Sequence, residues 1–181
     1  MKIFLIRHGK PDIKLNRWTN INGYVKLLRE YNRCGIVADK YNSNKVKKIV
    51  GNNALFFSSD LPRAVETAQH VLLNSNFKKE KIFREAELPV IRIPIIANYF
   101  IWRSISRGFW LMGIKKENYK RSKKRAEEAA IKLISKAEER DVVLFGHGIM
   151  NSLLARELKA RGWKLRIPLG INYWNVIILE Q

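Results

Sequence analysis

Ile3-Phe4-Leu5-Ile6-Arg7-His8-Gly9 opens the chain with an apolar run that breaks directly into a cation, an imidazole and a glycine. Four apolar residues bounded by the turn signals Gly9 and Pro11 read as a short buried strand. Gly9 and Pro11 serve the turn through their backbone preferences. Arg7 and His8 do not, and both are costly to desolvate without partners. Two readings are open at this point. The polar residues simply end a strand and reach water, or they belong to a site at the carboxyl end of a strand, where open α/β sheets bind ligands.

The same pattern recurs along the chain. Ala54-Leu55-Phe56-Phe57 and Val142-Val143-Leu144-Phe145 are compact apolar runs that fit buried strands. Lys81-Ile82-Phe83 is a shorter strand candidate, and Tyr173–Leu179 is a last β-rich run. Helical stretches lie between them. Val46–Val50 reads as a short helix stopped by Gly51-Asn52-Asn53. Ser58-Ser59-Asp60 offers N-cap oxygens, and Pro62 suits the first turn of a helix carrying Ala64, Val65, Ala68, Val71 and Leu72. Asn118–Arg140 repeats Ala126, Ala129, Ala130, Leu133, Ile134 and Ala137 as a buried stripe, and a helix through Leu153, Leu154 and Leu158 follows Gly146-His147-Gly148. Strands alternating with helices predict a layered α/β domain with a mostly parallel sheet.

Bulk properties bound the answer. With 181 residues, 46% hydrophobic and 28% charged, the chain is expected to form a single globular domain with a sizeable core. The lone Cys34 closes no internal disulfide, which favours a reducing compartment. Only four apolar residues separate Lys2 from Arg7, short of the roughly 7–15 of a signal peptide core, so a cytoplasmic location is expected. The net charge of +19 favours polyanions, anionic lipid or phosphorylated substrates as partners. No reading motif or stacking platform accompanies it, so no specific nucleic acid is expected.

Two of the three histidines, His8 and His147, follow apolar strands and precede a glycine. In a parallel sheet those strand ends share one edge, so the imidazoles can converge. A third strand end leads into Pro62-Arg63, placing Arg63 in the first turn of a helix, where the dipole favours anions. His70 falls inside that helix and reads as structural or surface. Two histidines, Arg7 and Arg63 at one place suit a phosphoryl group.

With LIRHGKP (5–11), SSDLPRAVETA (58–68), FREAEL (83–88) and VVLFGHGIMN (142–151) in this order across nearly the whole chain, the sequence resembles the histidine phosphatase superfamily, which includes the cofactor-dependent phosphoglycerate mutases. The resemblance implies a three-layer α/β/α sandwich and a phosphoric monoester hydrolase, similar to histidine acid phosphatases, that needs no metal or other cofactor. His8 would be the nucleophile that becomes phosphohistidine, its neutral imidazole available because the ordinary pKa is about 6.5. Gly9 would let the backbone approach phosphate, Arg7 and Arg63 would clamp its oxygens, and His147 would donate to them. Glu85 aligns with the acid that protonates the leaving group, with Glu87 as runner-up. The Asn that many members carry six residues after the nucleophile is Lys14 here, and Asn16 lies nearby out of register as a secondary candidate. Leu88-Pro89-Val90 replaces the glycine and tryptophan that commonly follow the acid, so the pocket wall departs from the family pattern.

The stretch VIRIPIIANYFIWRSISRGFWLMGI, about 90–114, is an apolar, aromatic-rich insertion. On a helical wheel Ile101, Trp102, Ile105, Phe109 and Met112 share a face opposite Arg103, Ser104 and Arg107. The arginines argue against a membrane span. Three readings remain: a helix packed on the core, a cap over the site, or peripheral contact with anionic membrane through Trp102, Trp110 and the basic run Lys115–Arg125. Cys34 to Lys40 has the spacing of a cysteine phosphatase loop but ends in Lys, so Cys34→Ser is expected to leave activity intact. No metal-ligand spacing and no P-loop is present. The substrate is expected to be a phosphorylated small molecule. The alternatives are a mutase-like phosphotransferase, or a non-catalytic domain binding anions, nucleic acid or a membrane surface.

Overall fold

Strict alternation along β1 (Lys2–Arg7) sends Ile3 and Leu5 to one face of a sheet and Phe4 and Ile6 to the other, and all four are buried. A strand apolar on both faces needs helices on both. The structure, a computed structural model, describes every residue but 52, 74, 75, 115, 168, 169 and 171, and every side chain but these and those of 116, 117 and 167. Asn52 of the expected helix stop and Lys115 of the basic run therefore lie outside the described residues.

After β1 come α1 (Ile21–Arg33), α2 (Lys40–Val50), β2 (Leu55–Ser59), α3 (Pro62–Leu72), β3 (Lys78–Glu80), α4 (Tyr99–Leu111), α5 (Lys116–Ala137), β4 (Val142–Gly146), α6 (Gly148–Ala160), β5 (Lys164–Ile167) and β6 (Val176–Glu180). The fold is mixed α/β, with a six-stranded central sheet in the order β3-β2-β4-β1-β6-β5. Pairings β3–β2, β2–β4 and β4–β1 are parallel, while β1–β6 and β6–β5 are antiparallel. Helices α5 and α6 cover one face through Ala126, Ala130, Leu133, Ile149 and Leu154. Helices α2 and α3 cover the other through Val46, Val50, Ala68 and Val71. Each fully buried aliphatic side chain in these layers contributes about 1.5–3 kcal/mol of transfer free energy.

Helices α1 and α4 build a third cluster of Tyr24, Leu27, Tyr31, Ala97, Tyr99 and Trp102. Trp102 stacks on Tyr24 with ring centroids 5.5 Å apart and donates its indole N–H to the Thr19 carbonyl at 2.9 Å. Thr19 and Ala97 pair through both backbone amides, at 2.9 and 3.0 Å, so the two helix entries are tied together.

Several local expectations give way to packing. Lys81–Phe83 is a 3-10 turn, and the strand is the polar triplet before it, because Phe83 turns in to full burial. Ser58 and Ser59 are buried strand residues and no side chain caps α3, whose start rests on Pro62. The Asp60 carboxylate is held by Arg84 at 2.6 and 2.7 Å. The last strand begins at Val176, after a turn in which Trp174 takes φ 61°. In the insertion only residues from Tyr99 onward are helical, and the buried side is Tyr99, Trp102, Ser106 and Trp110. Ile101 and Met112 are exposed. Because Trp102 and Trp110 are core residues, neither reaches a headgroup layer. Helices α1 and α2 exceed the sequence expectation: Asn20 and Asp39 cap them by accepting from Gly23 N and Asn42 N.

Candidate active site

The register of β1 against β4 decides the site. Arg7 pairs with Gly146, and the His8 amide donates to the Gly146 carbonyl at 3.0 Å, so His8 and His147 leave adjacent strand ends side by side. Their ring centroids are 5.2 Å apart, and both residues are buried. From the next strand, Ser59 Oγ lies 2.9 Å from His147 Nε2. His147 Nδ1 is buried and has no hydrogen-bond partner among the described residues.

His8 Nδ1 lies 2.7 Å from the Gly9 carbonyl oxygen, which can only accept, so Nδ1 carries the proton and Nε2 keeps its lone pair. Arg63 Nε–H donates to that Nε2 at 3.3 Å, a long contact for which phosphate oxygens would compete. The Arg63 guanidinium also donates to the Tyr31 carbonyl at 3.0 Å and lies 4.4 Å from the Tyr31 ring centroid. Among the described residues no carboxylate pairs with it. Arg7 lies over the Tyr173 ring at 4.6 Å, with Tyr173 itself 5.7 Å from the His8 ring.

Burial holds the His8 pKa well below 6.5, and Arg63 and Arg7 add to the depression against the hydrogen bond to Gly9, which raises it. His147 is depressed for the same reasons, burial first and then Arg63 and His8. Both imidazoles are therefore neutral well into the acid range. A consequence for stability has a definite sign. Below pH 6.5 the unfolded chain takes up protons that the folded chain does not. The contribution of these two groups is complete above 6.5 and is lost as pH falls from there toward the depressed folded values. Denaturant midpoints measured against pH should fall across this window, and His147→Asn should fall less steeply.

Gly9 is needed for a reason the sequence does not announce. A side chain there would meet Trp174 at 2.8 Å, and its N–H donates to Thr67 Oγ1 at 2.9 Å. Its amide is thus committed to Thr67, and its carbonyl sets the His8 tautomer.

Glu85 follows the 3-10 turn and reaches the start of α6. Its Oε1 accepts from Met150 N and Ala86 N, both at 3.0 Å, and Arg103 lies 3.5 Å from Oε2. A cavity of about 360 Å³ is lined by Arg63, Glu85, Tyr31 and Arg103. A second, of about 680 Å³, is lined by Arg7, Lys10, Tyr99, Arg103, Arg107 and Tyr173 among others. Tyr31 and Arg103 border both. The buried Tyr99 hydroxyl has no hydrogen-bond partner among the described residues. Glu87 is exposed at the rim of the smaller cavity, 3.8 Å from Arg121. Asn16 is exposed and lines neither cavity; Lys14 is exposed as well. Among the described residues no cluster of three His, Cys, Asp or Glu could hold a metal ion. Sequence reasoning misses Arg103 and Tyr31. A helical wheel that buries Ile101 turns Arg103 to the polar side, and Tyr31 belongs to α1, a helix not anticipated from the sequence although Tyr24, Leu27 and Tyr31 share its buried side.

No curated protein matches the chain. Among solved structures, phosphoserine phosphatase from Entamoeba histolytica in complex with 3-phosphoglyceric acid aligns with a TM-score of 0.64 at 16% identity, covering 98% of this chain and 89% of that one. A mycobacterial glucosyl-3-phosphoglycerate phosphatase complexed with VO3 gives 0.62 at 16% identity, over 99% and 92%. Phosphoglycerate mutase from Thermus thermophilus gives 0.55 at 16%, over 98% and 92%. At such identities the likeness is one of fold. The sequence profile of branch 1 of the histidine phosphatase superfamily, however, matches residues 3–181, almost the entire chain, and the chain belongs to that superfamily.

Proposed function

We propose that the protein is a metal-independent phosphomonoesterase that works through a phosphohistidine on His8. The observation that carries the reading is the His8 tautomer: Nδ1 is held by the Gly9 carbonyl, and Nε2 is left unprotonated beside the buried Arg63 guanidinium. In the first step the Nε2 lone pair forms a bond to phosphorus while the bond from phosphorus to the ester oxygen breaks. Glu85 gives its proton to the departing oxygen. Arg7, Arg63 and His147 stabilise the transferring group, which asks mainly for positioned positive charge. In the second step Glu85 takes a proton from water, the water oxygen bonds to phosphorus, and the bond to Nε2 breaks, releasing inorganic phosphate. His8 returns to its starting state.

The family supports phosphatase chemistry, and the fold is shared with proteins named as phosphatases. The cationic lining of the larger cavity, Arg7, Lys10, Arg103 and Arg107 against Asp39, favours an anionic phosphorylated small molecule. Hydrolysis of an aryl phosphate in the presence of EDTA tests the reading: turnover is expected, and its absence across aryl, sugar and carboxylated phosphomonoesters would contradict it.

The role of Glu85 has its own signature. Glu85→Gln should lower kcat by about 10²–10³-fold on alkyl phosphates, whose leaving oxygen needs a proton. The loss in the phosphorylation step should be much smaller on nitrophenyl phosphate, and single-turnover release of nitrophenol would show it. Cys34 is half-buried, its thiol donating to the Tyr31 carbonyl at 3.3 Å, and Cys34→Ser should turn over at the wild-type rate.

A further inference from the structure

Helix α4 fills the core with one side and leaves a second apolar side uncovered. Tyr99, Trp102, Ser106 and Trp110 are its buried residues. At 100° per residue, Phe100, Ile101, Leu111 and Met112 fall within an arc of about 120° on the opposite side, with Ser104 and Gly108 between them and Arg107 at the edge. These four are 56, 42, 69 and 68% exposed. Ile96 before the helix and Ile114 after it extend the surface, at 70 and 40%. Half of the exposed large apolar side chains among the described residues therefore come from residues 96–114. Isolated exposed apolar residues need no explanation, but a concentration of this kind marks an interaction surface.

The charge around this face selects the partner. From Leu88 to Lys116 the sequence holds no Asp or Glu, and Arg92 and Arg107 are exposed. Trp110 contacts Tyr119 with ring centroids 4.9 Å apart, which fastens the end of α4 to the first turns of α5, where Lys120, Arg121, Lys123 and Lys124 are exposed. A second copy of the chain would bring another body of charge +19 against a surface in which cations outnumber acids. An anionic bilayer suits both features, since apolar side chains enter the headgroup boundary while Lys and Arg meet lipid phosphates.

We propose that the exposed face of α4 docks in the plane of an anionic lipid surface. Among the described residues no helix is long and apolar enough to cross a membrane, so the contact is peripheral. Phe100, Ser104 and Arg107 of the same helix also line the larger cavity, and docking would set its mouth beside the headgroups.

Sedimentation of the full chain with vesicles of phosphatidylcholine alone, or of equal parts phosphatidylcholine and phosphatidylglycerol, tests this. Binding is expected to the anionic vesicles only and to weaken with salt. The triple variant Ile96→Ser, Leu111→Ser, Met112→Ser alters only exposed side chains and should bind about tenfold more weakly or worse. A matched variant at Leu73 and Ile131, exposed residues in other elements, should bind like wild type. Failure of the wild type to bind anionic vesicles would overturn the proposal. Equal binding by the triple variant would assign the adsorption to diffuse charge and also overturn it. Self-association in analytical ultracentrifugation that the triple variant abolishes would give the face to a second copy and overturn it as well. None of these outcomes depends on phosphatase activity.

Discussion

His8→Ala is expected to abolish phosphomonoester turnover, with a loss of about 10⁴-fold or more in kcat. The size follows from the arrangement. Among the described residues the nearest candidates are otherwise placed: His147 Nε2 is engaged by Ser59, and Cys34 is half-buried against the Tyr31 carbonyl. His8→Asn keeps most of the volume and should be equally inactive, which separates loss of chemistry from loss of packing. Both variants should keep native circular dichroism and should still bind inorganic phosphate, since the cations remain. A variant that turned over at even a tenth of the wild-type rate would remove His8 from the role of nucleophile.

Arg63→Met should cost about 10²–10³-fold in kcat, the usual effect of removing a preorganised donor to a developing charge. Its effect on stability should be small. Arg63 is 1% exposed, and no carboxylate among the described residues neutralises it. A buried cation without a counter-charge is costly to desolvate, so methionine of similar volume offsets the lost hydrogen bond to the Tyr31 carbonyl. The unfolding midpoint should therefore stay close to wild type. Inorganic phosphate should raise that midpoint in the wild type and much less in the variant. The pH profile gives a further readout. Arg63 is the second cause, after burial, of the depressed His8 pKa, so its removal moves that pKa up toward 6.5. The acid limb of kcat/KM, where His8 becomes protonated and inactive, should shift to higher pH. Arg63→Lys should recover the charge effect on the pH profile but not the rate, because an ammonium lacks the two-pronged donor geometry.

How much of this is legible in the sequence depends on the kind of signal. The buried strands at residues 3–6 and 142–145 are visible because apolar runs ending in glycine have few other uses, and they alone place His8 and His147 on one edge. The parallel register then brings the two rings together. Arg63 is legible through Pro62, which fixes the helix start one residue earlier. The orientation of α4 over the site is not. Ile101 and Met112 are strongly apolar and draw the helical wheel toward themselves, yet Trp102 and Trp110 occupy the core because α1 presents Tyr24 for stacking and α5 presents Tyr119 edge-on. That rotation carries Arg103 from the solvent side to Glu85. The role of Gly9 is also hidden, because its constraint comes from Trp174, far away in sequence.

Trapping the covalent intermediate tests the central claim most directly. Glu85→Gln enzyme mixed with a nitrophenyl phosphate and quenched in alkali should carry one phosphoryl group, acid-labile and alkali-stable, on the peptide containing His8. Dilution into substrate-free buffer should return it slowly as inorganic phosphate, and the same treatment of His8→Ala should leave no label. Turnover without any such label, or a label on another residue, would contradict the phosphohistidine account.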